Sequence, residues 1–469
     1  MELKKSYMGE EEQPVSPTGQ YFSSSVISVS VICVLESEIP IDDSQTTTLL
    51  KDVFLPINPR FSSIMEKDKN GVKHWKKVEV KLQDHIHIPI FPKEKTLEFY
   101  SNCFDEYLSK VALNQFPQEK PLWEIHIIKY PTKNAAGNLI FKLHHSLGDG
   151  FSLMGALLSC LQRAENPEIP LSFPALISKT ETRNSYNFCR NLPRVFNTIS
   201  DFGWSLLKSS FVEDDTTPLR SGEEGVEFRP ITVTTLTFSL EQIKRIKATL
   251  HVTINDVICG VLFLGIRLYM QATNQELKNA QSTALVLLNT RNIAGYKSIS
   301  EMVEPDSESP WGNQFAFLHV SVPNLTANES SDPLSFVLKA QKVIQRKRNS
   351  AAVVLTGKLL ETLRKFRGPE VTAKYIHSTL KNTSMTISNV IGPVEKMALS
   401  NQPVKGLYFM VVGVPQNLTI TMMSYNGKLR VAIGTENGLI DAQKFKSCVQ
   451  NSFDIILKAA VMSSAIESV

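Results

Sequence analysis

Residues 142–153, KLHHSLGDGFSL, contain two adjacent histidines, followed after three residues by an Asp-Gly pair that opens an apolar segment. The preceding stretches PLWEIHIIKY (121–130) and GNLIFKLHH (137–145) predict two strands joined by a turn. Beyond the motif, apolar residues recur at three- and four-residue intervals, which predicts a helix with one buried face. The motif is therefore expected where a strand ends and a helix begins.

The residues of this motif are compatible with several kinds of site. A metal site needs three or four ligands, whereas the cluster offers at most His144, His145 and Asp149, and adjacent strand residues point to opposite faces. Ser146 lacks the G-x-S-x-G context of a serine nucleophile. What remains is a histidine that acts as a general base, or two histidines satisfied in a turn with Asp149 as the helix N-cap. No metal is expected.

The composition restricts the class of protein. A chain of 469 residues is too long for one ordinary hydrophobic core, and 42% hydrophobic with 20% charged residues is typical of globular proteins. The net charge of +4 comes from scattered residues without a basic stripe, so nucleic acid is not an expected partner. The six cysteines lie far apart without a CxxC pair, which favours buried thiols in a reducing compartment over disulfides or zinc.

Two segments are apolar enough to raise the question of a membrane. The stretch 195–211 carries Asp201 and Lys208, and the run VICGVLFLG (257–265) meets Arg267 two residues later. Neither reaches the roughly 18–20 apolar residues that a spanning helix needs. We expect a surface-packed helix and a core helix, respectively, with interfacial membrane contact left open. The N-terminus develops no apolar signal-peptide core, so no secretory signal is expected.

Strand and helix patterns alternate on both sides of an irregular region. Between about residues 167 and 230, proline, charged and turn residues weaken the pattern and indicate a crossover. The sequence therefore predicts an N-terminal domain over 1–180, a crossover over 181–230 and a C-terminal domain over 231–469. In the C-terminal part, the Asn-Gly turn of SYNGKL (424–429) predicts a hairpin.

The pattern HHxxxDG resembles the active-site signature of the CoA-dependent acyltransferase superfamily, and the chain as a whole resembles the plant branch of the wax ester synthase/diacylglycerol acyltransferase family. Further elements of that family have counterparts along most of the chain: PLW at 121–123, ND at 255–256, GN at 312–313, and SNV at 388–390 with Gly392-Pro393. Ile391 replaces the usual proline of the last block, which puts the local turn in doubt.

This resemblance implies an α/β fold of two chloramphenicol-acetyltransferase-like domains, with mixed sheets flanked by helices and a tunnel at their interface. It assigns the general base to His145, with His144 as a neighbour and Gly150 as part of the signature. It gives Asp149 a structural role in which the carboxylate pairs with an arginine. In this chain Arg291 has the position of that arginine. Contacts to substrate or to the tetrahedral oxyanion are expected from four further residues: Asn255, Asn313, Ser388 and Asn389.

The implied reaction is O-acyl transfer from acyl-CoA, as co-substrate, to a long-chain fatty alcohol and to diacylglycerol, without a cofactor and without an acyl-enzyme. His145 would take the hydroxyl proton while the alcohol attacks the thioester, and an unperturbed imidazole pKa of about 6.5 leaves it largely neutral in the cell. The family further implies contact with a membrane surface, at the endoplasmic reticulum membrane and also at the plasma membrane.

Two alternatives to this function remain open at the level of the sequence. Plant acyltransferases of the BAHD type combine HxxxD with a C-terminal DFGWG motif, and this chain contains DFGWS at 201–205, only about 55 residues after the histidines. We interpret that match as chance. A non-enzymatic alternative is a degenerate acyltransferase fold that binds lipid. Peptide-synthetase condensation domains also carry HHxxxDG, but they work beside carrier and adenylation domains, for which 469 residues leave no room.

Overall fold

The computed structural model describes residues 14–69, 71–169, 171, 200–290, 311–325 and 332–467. Its strands are β1 (Ser30–Ser37), β2 (Ser63–Lys67), β3 (Lys73–Lys77), β4 (Ile86–His87), β5 (Trp123–Ile128), β6 (Gly137–His144), β7 (Gln162–Arg163), β8 (Ile231–Ser239), β9 (Thr283–Asn289), β10 (Phe315–Ser321), β11 (Met385–Ile391), β12 (Met397–Leu399), β13 (Gln402–Val412), β14 (Leu418–Tyr425) and β15 (Lys428–Glu436). Its helices are α1 (Pro17–Phe22), α2 (Thr46–Leu49, continued by the π-helical Leu50–Phe54 and by Leu55–Ile57), α3 (Leu97–Leu113), α4 (Gly150–Ser159), α5 (200–210), α6 (Leu240–Leu250), α7 (Ile254–Thr273), α8 (Leu334–Arg348), α9 (Ala352–Arg367), α10 (Pro369–Lys381) and α11 (Ala442–Glu467).

These strands form two mixed sheets and a small hairpin. The first sheet has the order β4-β5-β6-β1-β13-β12-β7, and the second has the order β10-β9-β11-β14-β15-β8. In the second sheet β11 runs parallel to both β9 and β14, while the other strand pairs of this sheet are antiparallel. Strands β2 and β3 pair separately. The predicted α/β class with mixed sheets flanked by helices is confirmed, and β14 and β15 form the predicted hairpin.

The first sheet contains strands from both of the predicted domains. Strand β1 is buried along its whole length, so both of its edges need partners inside the protein. It pairs with β6 on one side and with β13 on the other, where Ser30 lies opposite Val412. A strand from the predicted C-terminal domain, 231–469, therefore completes the N-terminal sheet, and the boundary at residue 231 does not separate the two sheets.

The predicted crossover, 181–230, is partly described. Residues 172–199 lie outside the described residues, whereas 200–210 form helix α5. At the end of this helix, the fully buried Lys208 Nζ lies 2.5 Å from Asp214 Oδ1. The Asp214 carboxylate also accepts hydrogen bonds from the backbone N–H of Thr283 (2.7 Å) and from the hydroxyl of Ser384 (2.6 Å). The described part of the crossover is therefore fixed to the second sheet.

Helix α7 is the core helix that the sequence predicted around the run VICGVLFLG. It runs for 20 residues through Arg267, and among the described residues it is the one helix long and apolar enough to cross a membrane. However, 78% of its most apolar window is buried inside the protein. Arg267 donates to the carbonyls of Val322 (2.7 Å), Ala280 (2.8 Å) and Pro323 (2.8 Å), which allows the charge to lie within the core. These features are typical of a core helix.

Five of the six cysteines fall within the described residues, and none of those five forms a disulfide. Cys33, Cys160 and Cys259 are buried, and Cys103 and Cys448 are half-buried. Burial raises the pKa of the Cys160 thiol to about 12, so this thiol stays protonated and unreactive at neutral pH.

Candidate active site

The HHxxxDG motif follows a fully buried central strand. Strand β6 lies between β1 and β5 and ends at His144, and helix α4 begins at Gly150. Between them, the backbone N–H of His145 donates to the carbonyl of Val29 (2.9 Å), and that of Leu147 donates to the carbonyl of His144 (3.0 Å). The motif therefore occupies the predicted junction, and its backbone is fixed by the neighbouring chain.

His144 is a buried, neutral residue with a defined tautomer. Its Nδ1 accepts the backbone N–H of Ser146 at 3.1 Å, so this nitrogen carries no proton and the proton lies on Nε2. The Nε2 atom lies 3.2 Å from the hydroxyl oxygen of Ser28, to which it donates. Burial, followed by the nearby His145 and Lys73, lowers the pKa of His144 to about 3. His144 therefore supports the motif and is unsuited to exchange protons near neutral pH.

His145 faces different neighbours from those of His144. Its ring centroid lies 4.8 Å from that of Phe22 and 5.6 Å from that of Phe315. Burial lowers the pKa of His145 below its ordinary value, while the Asp149 carboxylate and the Asn313 side chain oppose this effect. Its Nδ1 is buried and has no hydrogen-bond partner among the residues that the structure describes. The imidazole is thus held between aromatic rings in its neutral form.

A segment from the C-terminal half holds the backbone of the motif. We call residues 311–314, with the sequence WGNQ, the WGNQ segment. Its hydrogen bonds to the motif and to the first turn of α4 are Trp311 Nε1 to the carbonyl of Leu147 (2.7 Å), Gly312 N to Ser152 Oγ (3.1 Å), Ser152 Oγ to the carbonyl of Gly312 (3.1 Å), Asn313 Nδ2 to the carbonyl of His145 (2.9 Å), and Gln314 N to Asp149 Oδ2 (2.8 Å). Both halves of the chain therefore determine where the His145 ring lies.

Asp149 connects the motif, helix α4 and the WGNQ segment. Its Oδ1 accepts the backbone N–H of Ser152 at 3.0 Å, which makes it the N-cap of α4. Its Oδ2 accepts the backbone N–H of Gln314 at 2.8 Å, and the side chain is buried. Both bonds brace the backbone. Arg291, the predicted partner of Asp149, lies outside the described residues.

The other predicted site residues divide into two groups. Asn313 belongs to the WGNQ segment, where its amide nitrogen holds the His145 carbonyl and its buried Oδ1 has no hydrogen-bond partner among the described residues. Ser388 is buried on β11, and the exposed Asn389 donates to Asn255 Oδ1 at 3.4 Å. In the described part of the chain, no hydrogen bond joins Asn255, Ser388 or Asn389 to His145.

Strand β11 nevertheless ends beside the motif. A Cβ added at Gly150 would lie 3.5 Å from Val390 Cγ2, so the SNV block abuts the first residue of α4. That distance is an ordinary van der Waals contact, and Gly150 therefore has no steric need to be glycine. Gly392 differs, because a Cβ there would lie 2.2 Å from the carbonyl oxygen of Ser424.

Several residues that shape the site were missed by the sequence interpretation. Phe22 and Phe315 flank the His145 imidazole. Trp311, Gln314 and Ser152 form the hydrogen bonds that hold the motif against the WGNQ segment. The positions of Trp311 and Gln314, immediately next to Gly312-Asn313, were the available signal. Phe22 lies in a short N-terminal helix with no motif to mark it.

The DFGWS stretch has a structural explanation. It lies on α5, where the buried Asp201 pairs with Arg346 and Lys347, each at 2.8 Å. Ser205 Oγ lies 3.2 Å from His319 Nδ1. These contacts attach α5 to α8 and β10.

A pocket of about 120 Å³ lies on the side of His144. Its lining includes Ser24, Ser28, Asn114, Gln115 and Gly413. Ser28 is the residue whose hydroxyl oxygen accepts the hydrogen bond from His144 Nε2. This volume is enough to hold ordered water. Among the described residues, no group of three or more His, Cys, Asp or Glu side chains is arranged to hold a metal ion.

Comparison with solved structures agrees with this architecture. The wax ester synthase/diacylglycerol acyltransferase from Marinobacter aquaeolei VT8 superposes with a TM-score of 0.59 at 16% identity and covers 96% of this chain and 100% of its own. The first condensation domain of the calcium-dependent antibiotic synthetase superposes with a TM-score of 0.58 at 11% identity and covers 96% of each chain. At these identities the similarity establishes the fold alone.

Sequence comparison identifies the family. The wax ester synthase/diacylglycerol acyltransferase catalytic domain matches residues 59–258, and the WS/DGAT C-terminal domain matches residues 311–457. Wax ester synthase/diacylglycerol acyltransferase 4 of Arabidopsis thaliana is 30% identical over 451 residues, which cover 90% of this chain and 85% of that protein. Wax ester synthase/diacylglycerol acyltransferase 11 of the same plant is 27% identical and covers 97% of this chain and 96% of its own. The chain belongs to the wax ester synthase/diacylglycerol acyltransferase family and is an acyltransferase.

Proposed function

We propose that this acyltransferase moves a long-chain acyl group from acyl-CoA to a long-chain fatty alcohol, forming a wax ester, with diacylglycerol as a second acceptor. The names of its relatives include both activities. The observation that supports the chemistry is His145, whose imidazole is buried between two aromatic rings and has a lowered pKa. A neutral imidazole at neutral pH is the form that accepts a proton.

In this mechanism His145 is the general base. Because its Nδ1 is buried, Nε2 is the atom that meets the substrate. Nε2 takes the hydroxyl proton as the alcohol oxygen attacks the thioester carbonyl. The C–S bond then breaks, and the departing thiolate takes the proton back from the imidazolium. A thiol pKa of about 8–9 makes CoA a good leaving group, so the reaction as written needs no acyl-enzyme, metal or cofactor.

We assign Asn313 and Asp149 to positioning. Asn313 holds the carbonyl of His145, and Asp149 holds both α4 and the WGNQ segment. Asn255, Ser388 and Asn389 are proposed substrate contacts, because β11 ends beside Gly150. We further propose a passage for the acyl chain between the two sheets, and membrane association at the endoplasmic reticulum and the plasma membrane, since both acceptors partition into bilayers.

The test is ester synthesis by the purified protein from labelled palmitoyl-CoA with hexadecanol or diacylglycerol. His145→Gln keeps a polar side chain but loses the base, and should lower the rate by about 10²–10⁴-fold. His144→Asn is the matched control, because its Oδ1 can accept the Ser146 N–H in place of Nδ1, and it should retain activity. The proposal fails if neither ester forms, or if His145→Gln is as active as His144→Asn.

A further inference from the structure

Helix α9 is covered by the protein along one side and exposes apolar side chains along the other. Val354 is 60% exposed and Phe366 is 75% exposed, and Leu355 is also exposed. The helix ends at Gly368, whose φ of 84° turns the chain into α10, where Val371 is exposed too. Large apolar side chains grouped on one exposed helix are a feature of interaction sites.

Basic residues lie beside these apolar side chains on α9 itself. The helix contains four basic residues and one acidic residue, Glu361. The whole chain has a net charge of only +4, so positive charge is concentrated here. Val354, Lys358 and Lys365 lie on the same side of α9, because they are spaced by four and by seven residues. Within the described residues no carboxylate pairs with Lys358, Lys365 or Arg367.

The inner side of α9 leads to the candidate active site. Leu360 packs against the apolar cluster that contains Phe22, and Phe315 packs against the same cluster. Phe22 and Phe315 are the two rings that flank His145. The helix also contacts β10, which begins at Phe315. The inner side of α9 therefore packs against the same apolar cluster as the two aromatic rings beside the proposed base.

We propose that the α9 face, defined as Val354, Leu355, Lys358, Lys365 and Phe366, docks on an anionic lipid bilayer. An amphipathic helix with lysines beside an aromatic and aliphatic surface is typical of helices that lie at a bilayer interface. A second copy of the chain fits less well, because a symmetric contact would place the lysines of both faces together. This inference rests on the proposed function, because docking would bring a membrane-dissolved acceptor close to His145.

This face differs from the stretch 195–211, for which the sequence left interfacial membrane contact open. The described part of that stretch is α5 and the residue after it, in which Asp201 and Lys208 are buried and Leu207 and Phe211 are exposed. Helix α5 is attached to β10 and to the end of α10, where Asn382 Nδ2 donates to the carbonyl of Lys208 at 3.0 Å. It therefore lies on the same side of the second sheet as α9 and adds apolar surface to that side.

The test is flotation of the full-length protein with vesicles of phosphatidylcholine alone or of phosphatidylcholine mixed with phosphatidylserine. The wild type should bind the mixed vesicles more tightly, and added salt should weaken the binding. A lysine near an anionic surface changes partitioning by about five-fold, so Lys358→Gln/Lys365→Gln should lower it by ~25-fold. Val354→Ser/Phe366→Ser should lower binding to both kinds of vesicle by at least about ten-fold.

The matched control is Ile90→Ser, which removes a side chain that is 89% exposed on the first sheet's side of the molecule. This variant should bind like the wild type. The proposal is overturned if the mixed vesicles are bound no better than phosphatidylcholine, if Ile90→Ser weakens binding as much as Val354→Ser/Phe366→Ser, or if the α9 face mediates dimerisation in light scattering instead. Because flotation needs no ester synthesis, it stays informative even if the proposed acyl transfer fails.

Discussion

Replacing Asp149 with serine separates its role as a helix cap from its role as a link to the WGNQ segment. A serine hydroxyl can still accept the backbone N–H of Ser152, as N-cap serines commonly do. It cannot also accept the backbone N–H of Gln314, which the second carboxylate oxygen accepts at 2.8 Å. Asp149→Ser should therefore keep α4 intact and release the segment that holds His145.

The expected loss of stability follows from these two bonds. A hydrogen bond to a charged group contributes about 1.5–3 kcal/mol, so Asp149→Ser should lower the free energy of unfolding by about 2–3 kcal/mol. Asp149→Ala also loses the cap and should cost about 1 kcal/mol more. Thr96→Ala is the matched control, because Thr96 caps α3 through an exposed bond to Phe99 N at 3.2 Å and has no second link. It should cost about 1 kcal/mol and leave activity unchanged.

Activity provides the second measurement. A base displaced by about 1 Å can lose about 10²-fold in rate, so Asp149→Ser should lower kcat strongly with little change in KM. The Asp149 carboxylate raises the pKa of His145, and its removal lowers that pKa. Because the base must be neutral, the acid limb of the rate profile should move to lower pH. Denaturant titration and a pH–rate profile of each variant test this reasoning, which is refuted if Asp149→Ser is no less stable than Thr96→Ala, or if its acid limb moves to higher pH.

Two further predictions concern the pH dependence and the glycines. The pKa of His145 is lowered by burial, so ester synthesis by the wild type should be constant above pH ~6.5 and decline only in more acidic solution; a rate that already falls at pH 7 would contradict this. Gly392→Ala would place a methyl group 2.2 Å from the carbonyl oxygen of Ser424, and it should lower the free energy of unfolding by at least about 1–3 kcal/mol. Gly150→Ala would place its methyl group at an ordinary contact distance. In the same denaturant titration it should change the free energy of unfolding by less than about 1 kcal/mol.

The sequence predicted the local environment of the motif because local signals determine it. Alternation along β6 and the periodicity of α4 placed the histidines between a strand and a helix. An aspartate directly before an apolar helix predicts an N-cap, and Asp149 forms one. Adjacent residues at a strand end were expected on opposite faces, and His144 and His145 indeed contact different neighbours.

The features that were missed depend on contacts between distant parts of the chain. The pairing of β13 with β1 is made by backbone groups and leaves no mark in the pattern of either strand. The bond from Gln314 to Asp149 likewise uses a backbone N–H, which any residue except proline supplies. The sequence predicted helix α7, but it did not show which groups bind the charge of Arg267, because they lie in distant segments. Only the surrounding carbonyls explain why this charge is tolerated.

The HHxxxDG motif is therefore not a self-sufficient unit. The carbonyls of His145 and Leu147 and the second oxygen of Asp149 all bind the WGNQ segment. Without that segment the His145 carbonyl and this carboxylate oxygen would need other partners, and buried polar groups without partners cost about 1–3 kcal/mol each. The turn would then rearrange towards water and carry the imidazole with it. The pattern that looks most local in the sequence thus acquires its geometry from the opposite half of the chain, which explains how the same short motif can occur in proteins that do not share this chemistry.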